Sequence, residues 1–387
     1  MALPLTYNIR NVLVRWRATL ATVLGVALVV FVFVVVQSMA AGLEKSSANT
    51  GDPRNLMIVR KGSTAESSSM VSREQLRSVK YLPQIARDAQ GQPIISADLV
   101  LLLSLPRIDG SGEANVSLRG LSPTSISLRP QVKLATGRWF TPGKREVCVS
   151  RRMAARFANF GTGQTFKTGG HELTVVGAFD GGGSAFDSEV WMDADEACSL
   201  FERNMYSSLL VRVDGAEAKR EFIARIDSDK RLPLRVDVET EYYAKQTMTA
   251  QPIKWLGSFL AVAMSVGAVF AAMNTMYASV GARTREIGTL RVLGFRRRSI
   301  LAGFIIEGAM LASIGGALGC LLSLYFNGYS AGTLSFNSFS EVVFNFRVTP
   351  RLMAEGMVFS VIVGVVGSLL PAIRASRLPV IASLKAV

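Results

Sequence analysis

Histidine and cysteine are scarce in this sequence, which contains one histidine and three cysteines among 387 residues. A Ser-His-Asp or Cys-His catalytic arrangement would therefore depend on a single base. That residue, His171, follows two glycines in a segment typical of a surface turn. No pair of histidine and cysteine residues has the spacing of zinc ligands, and the aspartates between residues 180 and 195 do not follow the EF-hand pattern. We expect neither a catalytic site nor a metal site in this chain.

A phosphate-binding loop is also missing from the sequence. The dipeptide Gly143-Lys144 approaches the nucleotide-binding pattern, but Arg138 stands where that pattern needs its first glycine. Arg145 stands where the pattern needs serine or threonine. We therefore expect no ATP or magnesium site in this chain.

The three cysteines leave the redox compartment open. Cys148 lies in a strand-like segment, EVCVS, and Cys198 lies in a helix-like segment, DEACSLF. The two could form a disulfide in an oxidising compartment, or they could be buried as small apolar side chains. Cys320 lies in a long apolar run and is interpreted as a packing residue.

Charge is absent from three long apolar stretches, 18–43, 255–282 and 356–373, and a fourth, 299–327, contains only Glu307. Each is long enough to cross a hydrocarbon layer about 30 Å thick as a helix. Core helices of soluble proteins rarely run so far without a charge, so we predict four membrane-spanning helices. The first stretch exceeds the roughly 7–15 apolar residues of a signal peptide, which disfavours cleavage after Ala40.

The net charge of +14 is concentrated beside these stretches. Residues 41–252 contain 28 basic and 25 acidic side chains, whereas the remainder of the chain contains 15 basic and 4 acidic ones. Short loops rich in lysine and arginine stay in the cytoplasm, so we place both termini and the loop after the second span there. The middle region is predicted to lie outside the cytoplasm. The same distribution argues against nucleic acid as a partner.

The fold class predicted is an α-helical membrane protein with four transmembrane helices and a mixed α/β extracytoplasmic domain inserted between helices 1 and 2. The predicted segments are a cytoplasmic basic segment (1–17), transmembrane helix 1 (18–43), a periplasmic α/β domain (44–252), transmembrane helix 2 (253–282), a cytoplasmic coupling segment (283–298), transmembrane helix 3 (299–327), a short periplasmic connection (328–352), transmembrane helix 4 (353–373) and a cytoplasmic tail (374–387).

The middle region has the patterns of a small sheet covered by helices. Residues 208–213 and 234–239 alternate apolar and polar side chains, which is typical of strands with one buried face. Between them, Phe222 and Ile226 fall on one face of a predicted helix. The segment SREQLRSV begins with a capping box, and TGGHELTVVGAF predicts a hairpin.

The loop after the second span, GARTREIGTLRVLGFRRRSI (281–300), holds six arginines and one glutamate. Ile287, Leu290 and Leu293 recur at helical spacing, which predicts a short amphipathic helix. Such a helix would lie on anionic lipid head groups or dock into a groove on a cytoplasmic partner. Composition alone favours the lipid surface.

The wider stretch NTMYASVGARTREIGTLRVLGFRRRSILAGFIIEG resembles the signature of MacB/FtsX-type ABC transporter permeases, R-x-REIG-x-LR-x-(L/I)-G before an apolar span. The segments YNIRNVLVRWRATLATVLGVAL and LLPAIRASRLPVIASLKAV are similar to the two ends of that family. VKLATGRWFTPGKREVCVS and FKTGGHELTVVGAF are similar to its periplasmic core domain. The positions that match the signature are Arg283, Arg285, Glu286, Ile287, Gly288, Leu290, Arg291, Gly294 and Glu307.

The resemblance implies a permease of the bacterial inner membrane, with both termini cytoplasmic, that forms a dimer with a second copy or a paralogue. It implies an ABC ATPase subunit in trans, which would bind ATP and magnesium and dock on residues 283–294. Membrane lipids surround such a permease, and a membrane-fusion protein is a further partner that the family allows. In that docking, Arg283, Arg285 and Glu286 would form charge-assisted hydrogen bonds, while Ile287 and Leu290 would fill an apolar groove.

Glu307 lies about two turns inside the third predicted span. A carboxylate there is either functional or close enough to the cytoplasmic surface to pair with a loop arginine, and we favour the pairing. Gly315 and Gly319, four residues apart, have the spacing that permits close helix packing.

Two functions fit the resemblance. A permease could drive export or membrane extraction of a hydrophobic or lipid-linked substrate, or it could act as an ATP-driven mechanical regulator of a periplasmic enzyme without transport. The full signature and the long external region favour the first. A membrane-anchored enzyme, a third class, is disfavoured because catalytic groups are missing.

Overall fold

The computed structural model describes residues 16–246, 250–335 and 339–379, and the described residues form two compact units. The helical unit comprises Met1–Ala41, Pro252–Tyr329 and Phe346–Val387, and the α/β unit comprises Gly42–Gln251 and Ser330–Asn345. The chain therefore passes between the two units four times.

Helices and strands alternate irregularly along the chain. The helices are α1 (Trp16–Ala48), α2 (Arg73–Lys80), α3 (Ser125–Leu128), α4 (Arg151–Ala154), α5 (Ala194–Leu200), α6 (Ala216–Ser228), α7 (Glu239–Gln246), α8 (Ala250–Ala282), α9 (Thr284–Val292), α10 (Arg297–Ser323) and α11 (Pro350–Arg377). The strands are β1 (Asn55–Arg60), β2 (Val71–Ser72), β3 (Ile95–Pro106), β4 (Glu113–Leu121), β5 (Lys133–Gly137), β6 (Glu146–Ser150), β7 (Thr165–Thr168), β8 (His171–Asp180), β9 (Glu189–Asp193), β10 (Met205–Tyr206), β11 (Ser208–Arg212), β12 (Leu234–Val238), β13 (Ser330–Leu334) and β14 (Glu341–Asn345).

Among the described residues, α1, α8, α10 and α11 are the helices long and apolar enough to cross a membrane. Each of them runs further than its predicted span at one end or at both. Helix α1 ends at Ala48 rather than at residue 43, and α11 continues through Pro371 to Arg377 rather than ending at residue 373. The difference has a physical reason, since hydropathy marks only the part of a helix that suits a lipid environment. Backbone hydrogen bonding continues into the polar residues beyond.

Glycines bring α10 close to its neighbours. A Cβ atom at Gly319 would lie 2.6 Å from the carbonyl oxygen of Ala27 in α1, and one at Gly315 would come within 2.7 Å of the α1 backbone. The close packing that the spacing of this glycine pair permits is present between α10 and α1. On α11, a Cβ atom at Gly364 would lie 2.7 Å from the carbonyl oxygen of Gly308.

The α/β unit is built on one large sheet with the strand order β12-β1-β11-β3-β4-β9-β6-β8-β5, and β7 pairs with β8. The predicted strands on either side of α6 are confirmed as β11 and β12, which both pair antiparallel with β1. Phe222 and Ile226 of α6 are buried in the core, as the helical periodicity predicts. The capping box is confirmed in the hydrogen bonds between Ser72 and Gln75 at the start of α2. The predicted hairpin is β7–β8, whose register pairs Thr168 with His171.

The two cysteines of this unit are packing residues. Cys148 in β6 and Cys198 in α5 are both free and buried. Burial raises the pKa of the Cys148 thiol to about 12. Of the two alternatives left open by the sequence, the structure therefore has the buried thiols and not the disulfide.

The connection between α10 and α11 contains structure that the sequence analysis did not predict. Strands β13 and β14 pair antiparallel from Ser330 with Asn345 to Leu334 with Glu341. This hairpin belongs to the α/β unit, and its residue Val343 is fully buried in the main apolar core of that unit.

Candidate functional site

The candidate site is the segment around α9, and its first residue, Arg283, points inward. The Arg283 side chain is 5% exposed, and its Nη1 donates hydrogen bonds to Oε2 and Oε1 of Glu307 at 3.0 and 3.4 Å. Its guanidinium carbon lies 5.4 Å from the centre of the Phe304 ring. Because a buried charge is stable only with a partner, this ion pair fixes the start of α9 against α10. The favoured interpretation of Glu307, a pair with a loop arginine, is confirmed.

Ile287 also points inward. It is 3% exposed and packs in an apolar cluster with residues of α8, α10 and α11. The expectation that Ile287 fills a groove on a partner is therefore wrong, because the side chain is already buried within its own chain. The neighbouring Gly288 is buried as well. The other buried members of the cluster are Met276, Val280, Ile300, Phe304, Ala372 and Ala375.

Gly294 ends α9 for a conformational reason. Its φ angle is 91°, in the left-handed region that favours glycine, and a Cβ atom there would meet nothing within 4 Å. The amide of Phe295 donates to the carbonyl oxygen of Leu290 at 3.1 Å, and that of Gly294 donates to Arg291 at 3.2 Å. These are the hydrogen bonds of a glycine-terminated helix end, so the signature glycine shapes the backbone.

The remaining side chains form an exposed surface. Arg285 and Glu286 on α9 are exposed, and Glu286 lies 3.5 Å from Arg283 in an i,i+3 ion pair. Two apolar side chains are exposed beside them, Val292 at 62% and Leu293 at 67%. We call Arg285, Glu286, Val292 and Leu293 the α9 outer surface.

The structure thus divides the eight predicted docking residues. Arg283, Ile287 and Gly288 support α9 from within, whereas Arg285 and Glu286 face outward. Leu290 and Arg291 are half-buried, and Gly294 is exposed in the closing turn. Val292 was missed by the helical periodicity. The sequence did contain a signal for its exposure. Gly294, two positions later, ends the helix, so the apolar residues just before it need not lie on the buried face of α9.

A second group of charged residues, inside the α/β unit, had no sequence signal. Arg119 is 2% exposed and donates to Glu66 at 2.8 and 2.9 Å and to Glu189 at 2.8 Å. Arg129, fully buried, donates to Asp98 at 2.5 Å. Each of these residues is at most 6% exposed, so the group stabilises the core and offers no access to a substrate.

Two of the aspartates between residues 180 and 195 have structural roles. Asp187 accepts hydrogen bonds from the amides of Gly181 and Gly183 at 2.7 and 3.0 Å, and Asp193 caps α5. Among the described residues, no group of three or more His, Cys, Asp or Glu side chains is placed to hold a metal ion.

Comparison with known proteins agrees with this architecture. The sequence profile described as the MacB-like periplasmic core domain matches residues 18–229, and the profile described as the FtsX-like permease C-terminal region matches residues 258–380. The chain is 32% identical over 239 residues to the Macrolide export ATP-binding/permease protein MacB of Hahella chejuensis, covering 57% of this chain and 34% of that protein.

Two further relatives match longer stretches. The MacB protein of Pasteurella multocida is 27% identical over 363 residues, covering 86% of this chain and 50% of that protein. The uncharacterized ABC transporter permease YknZ of Bacillus subtilis is 26% identical over 293 residues, covering 70% of each chain. The chain spans half or less of the length of these MacB relatives. Because the core-domain profile alone matches more than half of the chain, the chain belongs to the MacB/FtsX-type family of ABC transporter permeases.

Proposed function

We propose that this permease couples ATP hydrolysis by a separate ABC ATPase subunit to movement of its extracytoplasmic domain. That movement would drive export, or extraction from the membrane, of a hydrophobic or lipid-linked substrate. The observation that carries the proposal is the α9 outer surface, an exposed patch on a helix whose inner side is anchored by the Arg283–Glu307 pair. The names of the MacB relatives, which combine export, ATP binding and permease, support the same conclusion.

The chemistry of the α9 outer surface fits a protein partner better than a lipid surface. Protein interfaces combine apolar anchors with a charged rim, which describes Val292 and Leu293 beside Arg285 and Glu286. On anionic lipid, the Glu286 carboxylate would be repelled. The buried ion pair beneath α9 keeps the helix rigid, so a partner could push against it.

We infer the other partners from the same assignment. ATP and magnesium would bind the ATPase subunit, and two permease copies, or this chain and a paralogue, would form a dimer. Both termini and α9 would lie in the cytoplasm. A membrane-fusion protein fits if the function is export across two membranes.

Co-purification tests the proposal. A tagged wild-type chain is purified from native membranes in mild detergent, and the ABC ATPase that accompanies it is identified by mass spectrometry. We expect Glu286→Lys to lower ATPase recovery roughly ten- to hundredfold, because losing a charge-assisted hydrogen bond weakens binding by about 1.5–3 kcal/mol. Leu293→Asp is expected to lower recovery as well, because it places a charge where the proposed interface with the ATPase would bury an apolar side chain.

The matched control is Glu355→Lys, an exposed carboxylate near the start of α11 in an i,i+4 pair with Arg351. This variant makes the same charge change away from α9 and should leave ATPase recovery unchanged. Undiminished recovery with both Glu286→Lys and Leu293→Asp would refute docking at the α9 outer surface.

A further inference from the structure

Strand β14 begins with a buried carboxylate that is held by two arginines. Glu341 is 2% exposed. Its Oε2 accepts a hydrogen bond from Nη2 of Arg107 at 2.6 Å, and its Oε1 accepts from Nε and Nη2 of Arg156 at 2.9 and 2.5 Å. We call Glu341, Arg107 and Arg156 the glutamate clasp.

The clasp joins parts of the chain that are distant in sequence. Arg107 follows β3 and Arg156 follows α4, and they lie 234 and 185 residues from Glu341 along the chain. Both arginines are only partly exposed, at 31% and 26% of their side-chain areas. Ion pairs with a buried member and good geometry resist opening, because opening would leave the Glu341 charge without a partner.

The opposite strand leaves room for the clasp. Gly332 lies in β13, and a Cβ atom at that position would overlap Oε1 of Glu341 and lie 2.7 Å from Nη2 of Arg156. Glycine is therefore required at position 332, because a side chain there would prevent Arg156 from reaching the carboxylate of Glu341.

Two more contacts hold the hairpin in the α/β unit. The amide of Val343 donates to Oγ of Ser188 at 2.8 Å, and Nδ2 of Asn115 donates to the carbonyl oxygen of Phe339 at 3.1 Å. The hairpin is thus fastened at both strand and loop positions.

We propose that Glu341 is a positioning residue that fastens the β13–β14 hairpin to the α/β unit, so that the hairpin moves with this unit. Two of the four chain crossings, Tyr329–Ser330 and Asn345–Phe346, are the ends of the hairpin. Displacement of the α/β unit therefore acts directly on the chain that leaves α10 and on the chain that enters α11. The purpose of this coupling rests on the proposed function, but the clasp itself can be tested without an ATPase.

Hydrogen exchange of the full-length chain in lipid nanodiscs tests the clasp. Relative to wild type, Glu341→Gln should raise amide exchange in β13 and β14 at least tenfold and leave β1 and β11 unchanged, because only the hairpin loses its ionic anchor. The matched control is Glu355→Gln, which removes an exposed ion pair with Arg351 and should leave hairpin exchange unchanged.

A double variant tests whether the two side chains act as a pair. Exchange in Glu341→Gln/Arg156→Gln should be about as fast as in Glu341→Gln alone, since the second change removes a partner already lost. Unchanged hairpin protection in Glu341→Gln, or additive effects in the double variant, would overturn the proposal. If Glu341→Gln also unfolds β1 and β11, the variant Gly332→Ala is used in its place. The proposal then requires Gly332→Ala to raise amide exchange in the hairpin and not in β1 or β11.

Spin labels test whether the hairpin travels with the α/β unit. Labels at the exposed positions Leu334 and Ile108 should give one narrow distance distribution in wild type and a broad one in Glu341→Gln. In the complex with the co-purified ATPase, ATP with vanadate should leave the wild-type distribution unchanged. A nucleotide-dependent shift would show that the hairpin separates from the unit and would contradict the proposal, whereas failure to obtain an ATPase would count only against the proposed function.

Discussion

Glu66 and Glu239, both buried in the α/β unit, have pKa values shifted in opposite directions. Burial alone would raise the pKa of Glu66, but the charge and hydrogen bonds of Arg119, with a bond from Ser208, lower it to about 2. Burial dominates at Glu239 and raises its pKa, although Asn55 donates to it at 2.8 Å. The ionised Glu66 therefore stabilises the fold above about pH 4.5, and this stabilisation is lost as the pH falls towards 2. The pH dependence of stability at Glu239 has the opposite sign. The folded state favours the protonated form of this side chain, so its contribution to stability is lost as the pH rises.

Replacing each glutamate with neutral glutamine distinguishes their effects on stability. At pH 7, Glu66→Gln should lower the free energy of unfolding by about 3–5 kcal/mol, because Arg119 would keep its buried charge and lose a partner. Glu239→Gln should be tolerated better, and its stability relative to wild type should be greater at pH 7 than at pH 4.5. Chemical unfolding followed by tryptophan fluorescence measures both effects, since Trp191 of the α/β unit is buried in the folded state. Equal losses in the two variants at pH 7 would contradict this assignment.

Sequence separation explains which ion pairs could be predicted. Arg283 and Glu307 lie 24 residues apart on consecutive helical segments, so the pair could be anticipated. Arg119 reaches Glu66 across 53 residues and Glu189 across 70, on elements whose pairing the sequence does not reveal. Each of those charges looks like an ordinary exposed residue of a strand or turn until the sheet order is known.

At the scale of elements, periodicity succeeded where one face is buried and the other is polar. Helix α6 and strands β11 and β12 were predicted from such patterns, although β11 proved to be buried on both faces, with Leu209 and Leu210 in different apolar clusters. The β13–β14 hairpin was missed because Glu341, a charged residue, is buried and interrupts the expected alternation in β14. Helix α9 was predicted, but which of its residues face inward depends on α8, α10 and α11 packing around Ile287, and one helix's sequence does not specify that arrangement.

Close packing of α10 on α1 predicts a difference between two glycines. Gly319→Ala should destabilise the helical unit, because the added Cβ atom would lie 2.6 Å from the Ala27 carbonyl oxygen. Gly267→Ala in α8 is the matched control, since a Cβ atom there meets nothing within 4 Å. Alanine favours a helix over glycine by up to about 1 kcal/mol, so the control should be neutral or stabilising. Thermal unfolding in detergent compares them, and equal melting temperatures would contradict the α1–α10 packing.

At the scale of the whole molecule, the four chain crossings tie a domain predicted to lie outside the cytoplasm to helices predicted to end inside it. The architecture was predicted from charge-free stretches and from the distribution of arginines, because both depend on the membrane rather than on side-chain packing. The hairpin's membership of the α/β unit was not predicted, since it depends on contacts distant in sequence.

Thiol labelling from the periplasmic side tests the orientation. Ser67→Cys, an exposed position of the α/β unit, should react with a membrane-impermeant maleimide, whereas the exposed Arg298→Cys should react only after permeabilisation. The native cysteines Cys148, Cys198 and Cys320 are buried and should give a low background. If Arg298→Cys reacted without permeabilisation and Ser67→Cys did not, the orientation would be the reverse of the predicted one and α9 would lie outside the cytoplasm.

ATP hydrolysis in reconstituted vesicles tests the central claim most directly, that this chain is a permease driven by an ATPase in trans. The purified chain alone should hydrolyse no ATP above the vesicle background, whereas the complex with its co-purified ATPase should turn over. Leu293→Asp should abolish the effect of the permease on that turnover, because it disrupts the α9 outer surface. Substantial turnover by the chain alone, or an ATPase rate that is the same with and without the permease, would contradict the account.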